Sequence, residues 1–315
     1  MKIIITGALG HIGSRVVREL PEVFHEPEIV LIDNLHTQRY PSLFNLPGNG
    51  VYKFYEEDIL KTDLRPFFEG AEVVLHLAAI TDAASSFKNR GQVETVNFEG
   101  TVKVAEACRE MGCSMIHISS TSVYGTQKLV VAEDCSPEDL NPQSPYAETK
   151  LKEENFLRSL GSDENFKFVI FRFGTICGTS PGMRFHTAIN KFCWQAVMGQ
   201  PFTIWTTAKD QKRPYLVLSD AIRAITHFIK EKLYPGDVYN VLTSNMTVNS
   251  IKDIISEFIP NIKIEYVDSE IMNQLSYEVC SQKILKTGFK LTGDIRGNIL
   301  ETINLLRSGK LEKMG

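Results

Sequence analysis

Short apolar segments alternate with helical patterns six times over the first 175 residues of this 315-residue chain. The apolar segments are rich in Val, Ile and Phe, and several are almost continuously apolar, which is typical of strands covered on both faces of a parallel sheet. They are Lys2–Thr6, Glu28–Asp33, Val51–Glu56, 72–78, Ser114–Ser120 and 167–173. Between them, as at 92–111, apolar residues recur at spacings of three and four or their multiples. The alternation predicts an α/β fold with a Rossmann-type, doubly wound parallel sheet.

The pattern becomes less regular after about residue 175, where Gly178 and Gly182 interrupt the chain. The elements predicted beyond this point are helices at about 186–198, 219–230 and 248–258 and strands at 202–206 and 213–218. Ser219 is the candidate N-cap of the second of these helices. We therefore predict a dinucleotide-binding domain, residues 1–175, and a smaller α+β portion, residues 176–315, with some segments interleaved between the two. The smaller portion either selects a substrate or serves only as a scaffold.

The composition narrows the classes of function. A net charge of −4 provides no basic excess of the kind that binds nucleic-acid phosphates, so no nucleic-acid partner is expected. No segment approaches the ~18 apolar residues of a membrane span, and no secretory signal is evident, so no membrane partner is expected either. The six cysteines form no CxxC pair, and the seven histidines form no HxxxH or HxH pair. These counts predict buried thiols in a reducing cytoplasm and no metal site.

Three glycines follow the first strand at the point where a helix is predicted to begin. Gly7, Gly10 and Gly13 permit a tight turn, a close approach of the backbone to a diphosphate, and close packing of the helix on the sheet. The helix N-terminus adds N–H groups and the positive end of its dipole. Asp33 ends the second strand 20 residues after Gly13, and its carboxylate can bind an adenosine ribose but repels a 2′-phosphate. The pattern predicts a dinucleotide site that favours NAD over NADP; a loop-capping role for Asp33 is the alternative.

Tyr146 and Lys150 lie four residues apart, on one face of a helix that Pro145 is well suited to begin. A tyrosine is a poor base at neutral pH because its pKa is near 10, and a neighbouring ammonium lowers that pKa by stabilising the phenolate. Ser120 ends the fifth strand, so its hydroxyl is expected at the carboxyl edge of the sheet, where such sheets bind ligands. Ser120, Tyr146 and Lys150 are therefore the predicted catalytic residues.

The same spacing occurs again between Tyr124 and Lys128. Gly125 lies inside that pair, just past the fifth strand, so a helical turn that holds both side chains together is not expected there. Near Ser120, the other hydroxyl residues of the segment 119–122 have an alternative role in hydrogen bonding at the end of the strand. The Tyr146–Lys150 pair is thus the one that the sequence favours.

A series of motifs resembles the extended short-chain dehydrogenase/reductases, and within them the nucleotide-sugar epimerase/dehydratase group, of which UDP-glucose 4-epimerase is typical. In chain order the motifs are TGALGHIG (6–13), Asp33-Asn34-Leu35, Asp58-Ile59, HLAA (76–79), Asn97-x-x-Gly100, SSTSVYG (119–125), YAETK (146–150), FRFGTICG (171–178), Gln211 to Tyr215 leading to Ser219-Asp220, and YNVLTS (239–244). The resemblance covers nearly the whole chain, and the ordered series makes it specific.

The resemblance implies roles for residues on both sides of the site. Those implied to bind NAD are Gly7, Leu9, Gly10, His11, Ile12, Gly13, Asp33, Asn34, Asp58, Ile59, Leu77, Ala78, Ala79, Asn97, Tyr146 and Lys150. The candidate substrate-binding residues are Thr81, Ser120, Thr175, Asn190 and Arg213. Arg213 is expected to pair with a substrate diphosphate, for which a guanidinium is well shaped, and a surface salt bridge is its alternative role. A homodimer through the helices at 92–111 and 146–160 is also implied.

The reaction implied is NAD-dependent epimerisation of a nucleoside-diphosphate sugar at C4, through a 4-keto intermediate. The 4,6-dehydratases of the group usually carry an Asp-Glu pair after the catalytic hydroxyl residue, where this chain has Thr121-Ser122. Epimerases commonly carry small or hydroxyl residues at these two positions, as this chain does. Thr175 replaces an asparagine that helps many members hold the nucleotide, so the nucleotide stays open. The alternatives are a 4,6-dehydratase, a dehydrogenase/reductase, a sulfoquinovose-synthase-like enzyme and a non-catalytic NAD-binding regulator. The third is included because the segment 190–199 is similar to that of the sulfoquinovose-synthase branch.

Overall fold

The computed structural model describes residues 1–125, 128–161, 166–206, 209–268 and 276–307. Its strands are β1 (Lys2–Thr6), β2 (Glu28–Asp33), β3 (Val51–Glu56), β4 (Val73–His76), β5 (Ser114–Ser120), β6 (Val130–Val131), β7 (Phe168–Phe173), β8 (Thr175–Cys177), β9 (Phe202–Trp205), β10 (Arg213–Val217), β11 (Asp237–Val241), β12 (Ser244–Met246), β13 (Ile264–Val267) and β14 (Glu278–Val279). Its α-helices are α1 (His11–Val23), α2 (Arg65–Phe68), α3 (Arg90–Val93), α4 (Gly100–Met111), α5 (Pro145–Leu160), α6 (Ala188–Val197), α7 (Leu218–Lys230), α8 (Val248–Phe258), α9 (Gln282–Leu285) and α10 (Ile295–Arg307). A π-helix, Glu94–Glu99, joins α3 to α4, and short 3-10 helices occur at Tyr40–Leu43, Ser85–Phe87, Thr121–Val123 and Pro137–Asp139.

Seven parallel strands form the central sheet, in the spatial order β3-β2-β1-β4-β5-β7-β11. The order runs outward in both directions from β1 and β4, which is the arrangement of a doubly wound, Rossmann-type sheet. The predicted fold class is confirmed. Strands β1, β2, β3 and β5 have the predicted bounds, whereas β4 is shorter than predicted and β7 begins one residue later.

Alternate residues of the central strands face two helical layers. Ile3 and Ile5 of β1 pack in a core with α1 and α7, whereas Ile4 packs in a core with α2, α4 and α5. Because both faces of these strands are covered, their sequences are almost continuously apolar. Among the described helices, none is both long and apolar enough to cross a bilayer.

Within the described residues, three smaller sheets lie outside the central one. Strands β8, β10 and β12 form the first, β9 pairs with β13 in the second, and β6 pairs with β14 in the third. Helices α6, α8 and α10 share an apolar core that includes Phe192, Ile251 and Ile303. Strand β11 returns to the central sheet and pairs in parallel with β7, so the chain contributes to that sheet well after residue 175. The domain division at residue 175 stays a prediction.

Helix α7 begins directly after β10, without a loop. The prediction that Ser219 caps this helix was wrong, because the extended Val217 is its N-cap and Ser219 lies in the first turn. Asp220, also in that turn, accepts backbone N–H groups of Thr292 and Gly293 at 3.1–3.2 Å. The start of α7 is therefore tied to the segment that leads into α10.

Candidate active site

The glycine turn leaves no space for a side chain at two of its glycines. Gly7 has a φ of +66°, and a Cβ there would lie 2.6 Å from the backbone nitrogen of Ala78. A Cβ at Gly13 would lie 2.5 Å from the carbonyl oxygen of Ala8. Gly10 is the N-cap of α1 and provides no side-chain cap, so the first N–H groups of the helix face the turn without intrahelical partners. Such a turn suits the diphosphate of a dinucleotide.

A segment from the second half of the chain lies against this turn. Gly182 is so close that a Cβ there would lie 2.3 Å from the carbonyl oxygen of Leu9. The Nε2 atom of His11 lies 2.9 Å from the carbonyl oxygen of Gly178. Burial, aided by the charge of Arg184, lowers the pKa of His11 to about 3, so this histidine is neutral at pH 7. The turn is thus held between the central sheet and residues 178–184.

Asp33 ends β2, and two backbone donors fix its carboxylate. The N–H of Leu9 donates to Oδ2 at 3.0 Å, and the N–H of Leu35 donates to Oδ1 at 2.9 Å. Each oxygen has a second lone pair that can accept a ribose hydroxyl. Asn34 beside it is exposed, and Arg39 faces the carboxylate. The geometry therefore fits the predicted ribose-binding role of Asp33.

The other residues implied to bind the cofactor follow the carboxyl ends of neighbouring strands. Asp58 and the buried Ile59 come shortly after β3, and residues 77–79 follow β4 directly. Asn97 lies in the π-helix, a form that often occurs at functional sites. Its Oδ1 accepts the N–H of Ile80 at 2.8 Å, and its Nδ2 donates to the Ile80 carbonyl at 2.9 Å. Asn97 thus braces the backbone segment that follows β4.

Helix α5 carries the predicted Tyr-Lys pair and packs against β5 and the 3-10 helix after it. Ser144 caps α5 by accepting a backbone N–H at 3.2 Å, and Pro145 is its first residue, so Tyr146 lies in the first turn. Lys150 follows one turn later and is buried. Burial alone would lower the pKa of Lys150, but the nearby Glu153 and Tyr146 outweigh it, and the pKa is raised. The ammonium next to Tyr146 is therefore charged.

Ser120 is the last residue of β5, and its hydroxyl oxygen accepts two hydrogen bonds from one neighbour. Ser122 donates to it from its backbone N–H at 3.1 Å and from its hydroxyl at 2.9 Å. The hydroxyls on either side have other partners, because Ser119 donates to Glu154 and Thr121 donates to a β7 carbonyl at 3.3 Å. With both acceptor positions of its oxygen occupied, Ser120 keeps its own proton to donate to a ligand.

The candidate substrate-binding residues lie on different elements. Thr81 follows the β4 segment and accepts a hydrogen bond from Arg184. Asn190 is fully buried, and its amide accepts a backbone N–H at 3.1 Å and donates to the Arg184 carbonyl at 3.0 Å. Thr175 and the half-buried Arg213 lie on the adjacent strands β8 and β10. Asn190 therefore shapes the segment 178–184, and the contacts of these residues with a substrate stay predictions.

Sequence reasoning missed Arg184 and Glu153. The side chain of Arg184 forms no ion pair within the described residues, and its buried Nε has no hydrogen-bond partner there. Burial lowers its pKa, and the titratable groups that it faces include Tyr146, Arg39 and Asp82. The available signal for Arg184 was a single arginine between Gly182, where the chain is interrupted, and the next predicted helix. For Glu153 the signal was its position one turn after Lys150.

The second Tyr-Lys pair has structural partners. Tyr124 is buried, its hydroxyl donates to Asn240 Oδ1 at 2.8 Å, and it accepts from Arg172 at 2.8 Å. Burial raises the pKa of Tyr124, which makes it a worse base than an ordinary tyrosine. Lys128 pairs with Asp139. Tyr124 and Lys128 therefore bind different structural partners.

Comparison with known proteins identifies the family of this chain, which the Rossmann-type sheet alone does not. Residues 3–241 match the model of the NAD dependent epimerase/dehydratase family. The chain belongs to this family. The resemblance found in the sequence is thereby confirmed, and NAD is the cofactor of this epimerase/dehydratase family member. The crowded glycine turn and the carboxylate at the end of β2 fit that cofactor.

Its relatives include both kinds of enzyme in the family's name. The chain is 32% identical over 250 residues to an uncharacterised UDP-glucose epimerase of Bacillus subtilis, 76% of each chain. It is 27% identical to the dTDP-D-glucose 4,6-dehydratase of Bos taurus, over 97% of this chain and 88% of that one. A structure of UDP-glucuronic acid 4-epimerase from Bacillus cereus, in complex with UDP-glucuronic acid and NAD, matches at 26% identity and a TM-score of 0.85, covering 98% and 99% of the two chains. The chain spans only 44% of the three trifunctional Arabidopsis thaliana enzymes that it matches.

Proposed function

We propose that this enzyme is a 4-epimerase of a nucleoside-diphosphate sugar. The observation that carries the proposal is that two hydroxyl residues, Thr121 and Ser122, follow Ser120 in place of an acid-base pair. Elimination of water from the sugar needs a general acid and a general base, and the dehydratases usually carry an Asp-Glu pair at the two positions after the catalytic hydroxyl residue. Here those positions are Thr121 and Ser122, whose hydroxyls bond to a β7 carbonyl and to Ser120. Epimerisation at C4 requires no acid-base pair there.

The reaction follows from three side chains. Tyr146, as a phenolate beside Lys150, removes the proton of the C4 hydroxyl, while Ser120 donates a hydrogen bond to the same oxygen. When bound, NAD would supply the hydride chemistry at C4, and the glycine turn together with Asp33 would hold it beside these side chains. Between the two hydride transfers the 4-keto sugar rotates, so that its other face is presented for reduction. Tyr146 then returns the proton to the C4 oxygen. Because the sugar is not oxidised overall and NAD is regenerated in each cycle, we expect the enzyme to retain the cofactor tightly.

The remaining candidate residues would hold the substrate. Thr81 lies beside Arg184, whose guanidinium faces the region of Tyr146. The guanidinium of Arg213 lies over the ring of Tyr277, with 5.6 Å from its central carbon to the ring centroid. Arginine pairs with phosphate oxygens through two parallel N–H groups, which suits Arg213 to the diphosphate of the substrate.

The proposal is tested with UDP-glucose, UDP-galactose and their N-acetyl and uronic relatives, with the products followed by NMR. Inversion at C4 without added NAD supports it, because the retained cofactor is recycled. A 4-keto-6-deoxy product would instead establish a 4,6-dehydratase, the activity of the Bos taurus relative. Conversion matched by an equal amount of NADH would establish a dehydrogenase.

The role of Tyr146 is tested by Tyr146→Phe, which removes the phenol and leaves the ring. Loss of a general base is expected to lower kcat by about 10²–10⁴-fold. Tyr40→Phe is the matched control, because Tyr40 is half exposed and begins a 3-10 helix outside the catalytic elements. Equal activity of the two variants would contradict the assignment.

We also propose that the enzyme is a cytoplasmic homodimer. Its six cysteines are free, which suits a reducing compartment. On the α4–α5 side of the molecule, the half-buried Phe98 and Phe156 pack edge to face with ring centroids 5.9 Å apart, and Lys152 lies over Phe98. A second copy packed on these two rings would complete their burial. Sedimentation of Phe156→Glu as a monomer, against a wild-type dimer, is the expected result.

A further inference from the structure

A buried carboxylate lies directly behind the predicted catalytic lysine. Glu153 is completely buried, and its Oε2 accepts a hydrogen bond from Nζ of Lys150 at 2.8 Å. The hydroxyl of Thr101 donates to the same oxygen at 3.2 Å. The Nε2 atom of His117, also completely buried, lies 2.9 Å from it. Three polar groups from three elements thus converge on one carboxylate oxygen.

The hydrogen bonds continue from Thr101 towards the glycine turn. His76 Nε2 lies 3.2 Å from the Thr101 hydroxyl, and His76 Nδ1 lies 2.7 Å from the hydroxyl of Thr6. Since Thr101 donates to Glu153, it accepts from His76, and Thr6 then donates to the other ring nitrogen. Thr6 is the residue before Gly7. A continuous buried network therefore joins the cofactor turn to Lys150.

The charges in this network are arranged as a pair. Burial would raise the pKa of Glu153, but the charge of Lys150 and the contact with His117 outweigh it and lower that pKa to about 2. Burial lowers the pKa of His76 and of His117, and both rings are neutral at pH 7. The site behind Tyr146 therefore holds one ammonium and one carboxylate in contact.

We propose that Glu153 is a positioning residue, which fixes the ammonium of Lys150 beside Tyr146 and offsets part of its charge, and so sets the pH at which Tyr146 becomes a base. The proposal rests on the role of Tyr146 in the proposed function. Without Glu153, the charge of Lys150 would act on the phenol undiminished, and Tyr146 would lose its proton at lower pH. With Glu153, the phenol keeps its proton to a higher pH and can return it to the sugar.

The other charged groups near this pair do not replace Glu153. Glu154, next along α5, is bound by Arg172 of β7 in a buried ion pair with an N–O distance of 2.6 Å. Arg184, in the segment 178–184, also interacts electrostatically with Tyr146. The histidines of β4 and β5 are neutral. A change of Glu153 to an uncharged residue therefore changes the charge behind Lys150 by one unit.

The test is a titration of Tyr146 in the NAD-bound enzyme, without any sugar substrate. Tyrosine labelled with ¹³C at Cζ reports the phenolate by NMR, and the Tyr146 signal is the one that Tyr146→Phe removes. In Glu153→Gln, which keeps the shape and an oxygen acceptor, the first proton of the Tyr146–Lys150 pair should leave about one pH unit lower than in the wild type. One pH unit below the wild-type midpoint, the ionised fraction would rise from about 9% to about 50%.

Glu148→Gln is the matched control. Glu148 lies on the same helix between Tyr146 and Lys150 in sequence, but its carboxylate is exposed and pairs with Arg90. Because solvent screens that charge, its removal should move the midpoint by less than about 0.2 pH units. If Glu153→Gln does not fold, Glu153→Asp draws the carboxylate back by one methylene and should lower the midpoint by a smaller amount.

Several results would overturn the proposal. An unchanged midpoint in Glu153→Gln, or in Glu153→Asp if only that variant folds, would reduce Glu153 to a structural residue and leave the proposed function intact. So would a loss of thermal stability in Glu153→Gln with no shift of the midpoint. A Tyr146 that keeps its proton to pH ~10 in both proteins would overturn the proposal and also count against Tyr146 as the base, whereas failure of the epimerase assay alone would concern only the reaction. A parallel shift in the pH profile of kcat, with KM unchanged, is the expected kinetic counterpart.

Discussion

The contact between Gly182 and the glycine turn can be tested by a substitution that displaces residues 178–184 from that turn. A Cβ at Gly182 would lie 2.3 Å from the carbonyl oxygen of Leu9 and 2.6 Å from that of Gly10, so Gly182→Ala requires a movement of roughly 1 Å in buried backbone. Two hydrogen bonds hold the segment there, from the Gly182 N–H to Ser14 Oγ at 2.9 Å and between His11 and a carbonyl at 2.9 Å. At about 1 kcal/mol each, their loss would lower the free energy of unfolding by about 2 kcal/mol.

The same displacement should be visible in cofactor binding. If the turn moves with the segment, its N–H groups no longer converge on the diphosphate, and a loss of about 1.4 kcal/mol there corresponds to a tenfold weaker Kd for NAD. Urea unfolding and calorimetric titration with NAD measure the two effects separately. Gly48→Ala is the control, because a Cβ at Gly48 meets no atom within 4 Å. If Gly182→Ala is as stable as this control and binds NAD as the wild type does, the turn is not held by residues 178–184.

Three further predictions concern buried charge. Arg172→Met would leave the carboxylate of Glu154 buried without its cation and should cost about 3–5 kcal/mol in urea unfolding; a loss below about 1 kcal/mol would contradict the pairing. Arg184→Gln should weaken binding of the anionic ligands severalfold, and calorimetry with NAD and with UDP-glucuronic acid would show which of them Arg184 contacts; unchanged affinity for both would refute an anion-binding role. Because the folded-state pKa of Glu153 is about 2 against an ordinary value of 4.5, its stabilisation should be complete above about pH 4.5 and fade as the pH falls towards 2. In acid unfolding, Glu153→Gln should lack that part of the pH dependence, and an identical slope in the two proteins would contradict it.

Local patterns predicted those parts of the molecule that depend on local physics. The central strands were visible because burial on both faces demands apolar residues at consecutive positions, as in Ile3 to Ile5. The start of α5 was visible because Pro145 marks the first helical position, and the one-turn spacing to Lys150 then followed. The N-cap of α7 was predicted wrongly, since Ser219 has the right chemistry but β10 enters the helix directly at Val217. A cap depends on where the preceding strand ends, which the sequence does not mark.

The unpredicted parts of the site depend on contacts between distant residues. His11 meets the carbonyl of Gly178 across 167 positions, and Gly182 meets Ser14 across 168. No periodicity or spacing rule relates such pairs. The return of β11 to the sheet edge beside β7 has the same cause, because its pairing partner lies before the whole second portion begins. Glu153 is close to Lys150 in sequence, but its burial beside His117, a polar residue within an apolar strand, could not be predicted from that spacing.

The distribution of charge around the site is consistent with the anionic ligands that we propose for it. Behind the predicted catalytic residues, the buried charges occur as contacting pairs, with Lys150 bound to Glu153 and Arg172 to Glu154, and so contribute little net field. Arg184 forms no ion pair within the described part of the chain, and its charge and that of Arg39 both act on His11, at the start of the helix that follows the glycine turn. A guanidinium held in this way gains most when an anion arrives, since burial has already removed much of its water. Both NAD and the proposed nucleoside-diphosphate sugar carry a diphosphate, so under the proposed function we expect this positive charge to contribute to the binding of both ligands.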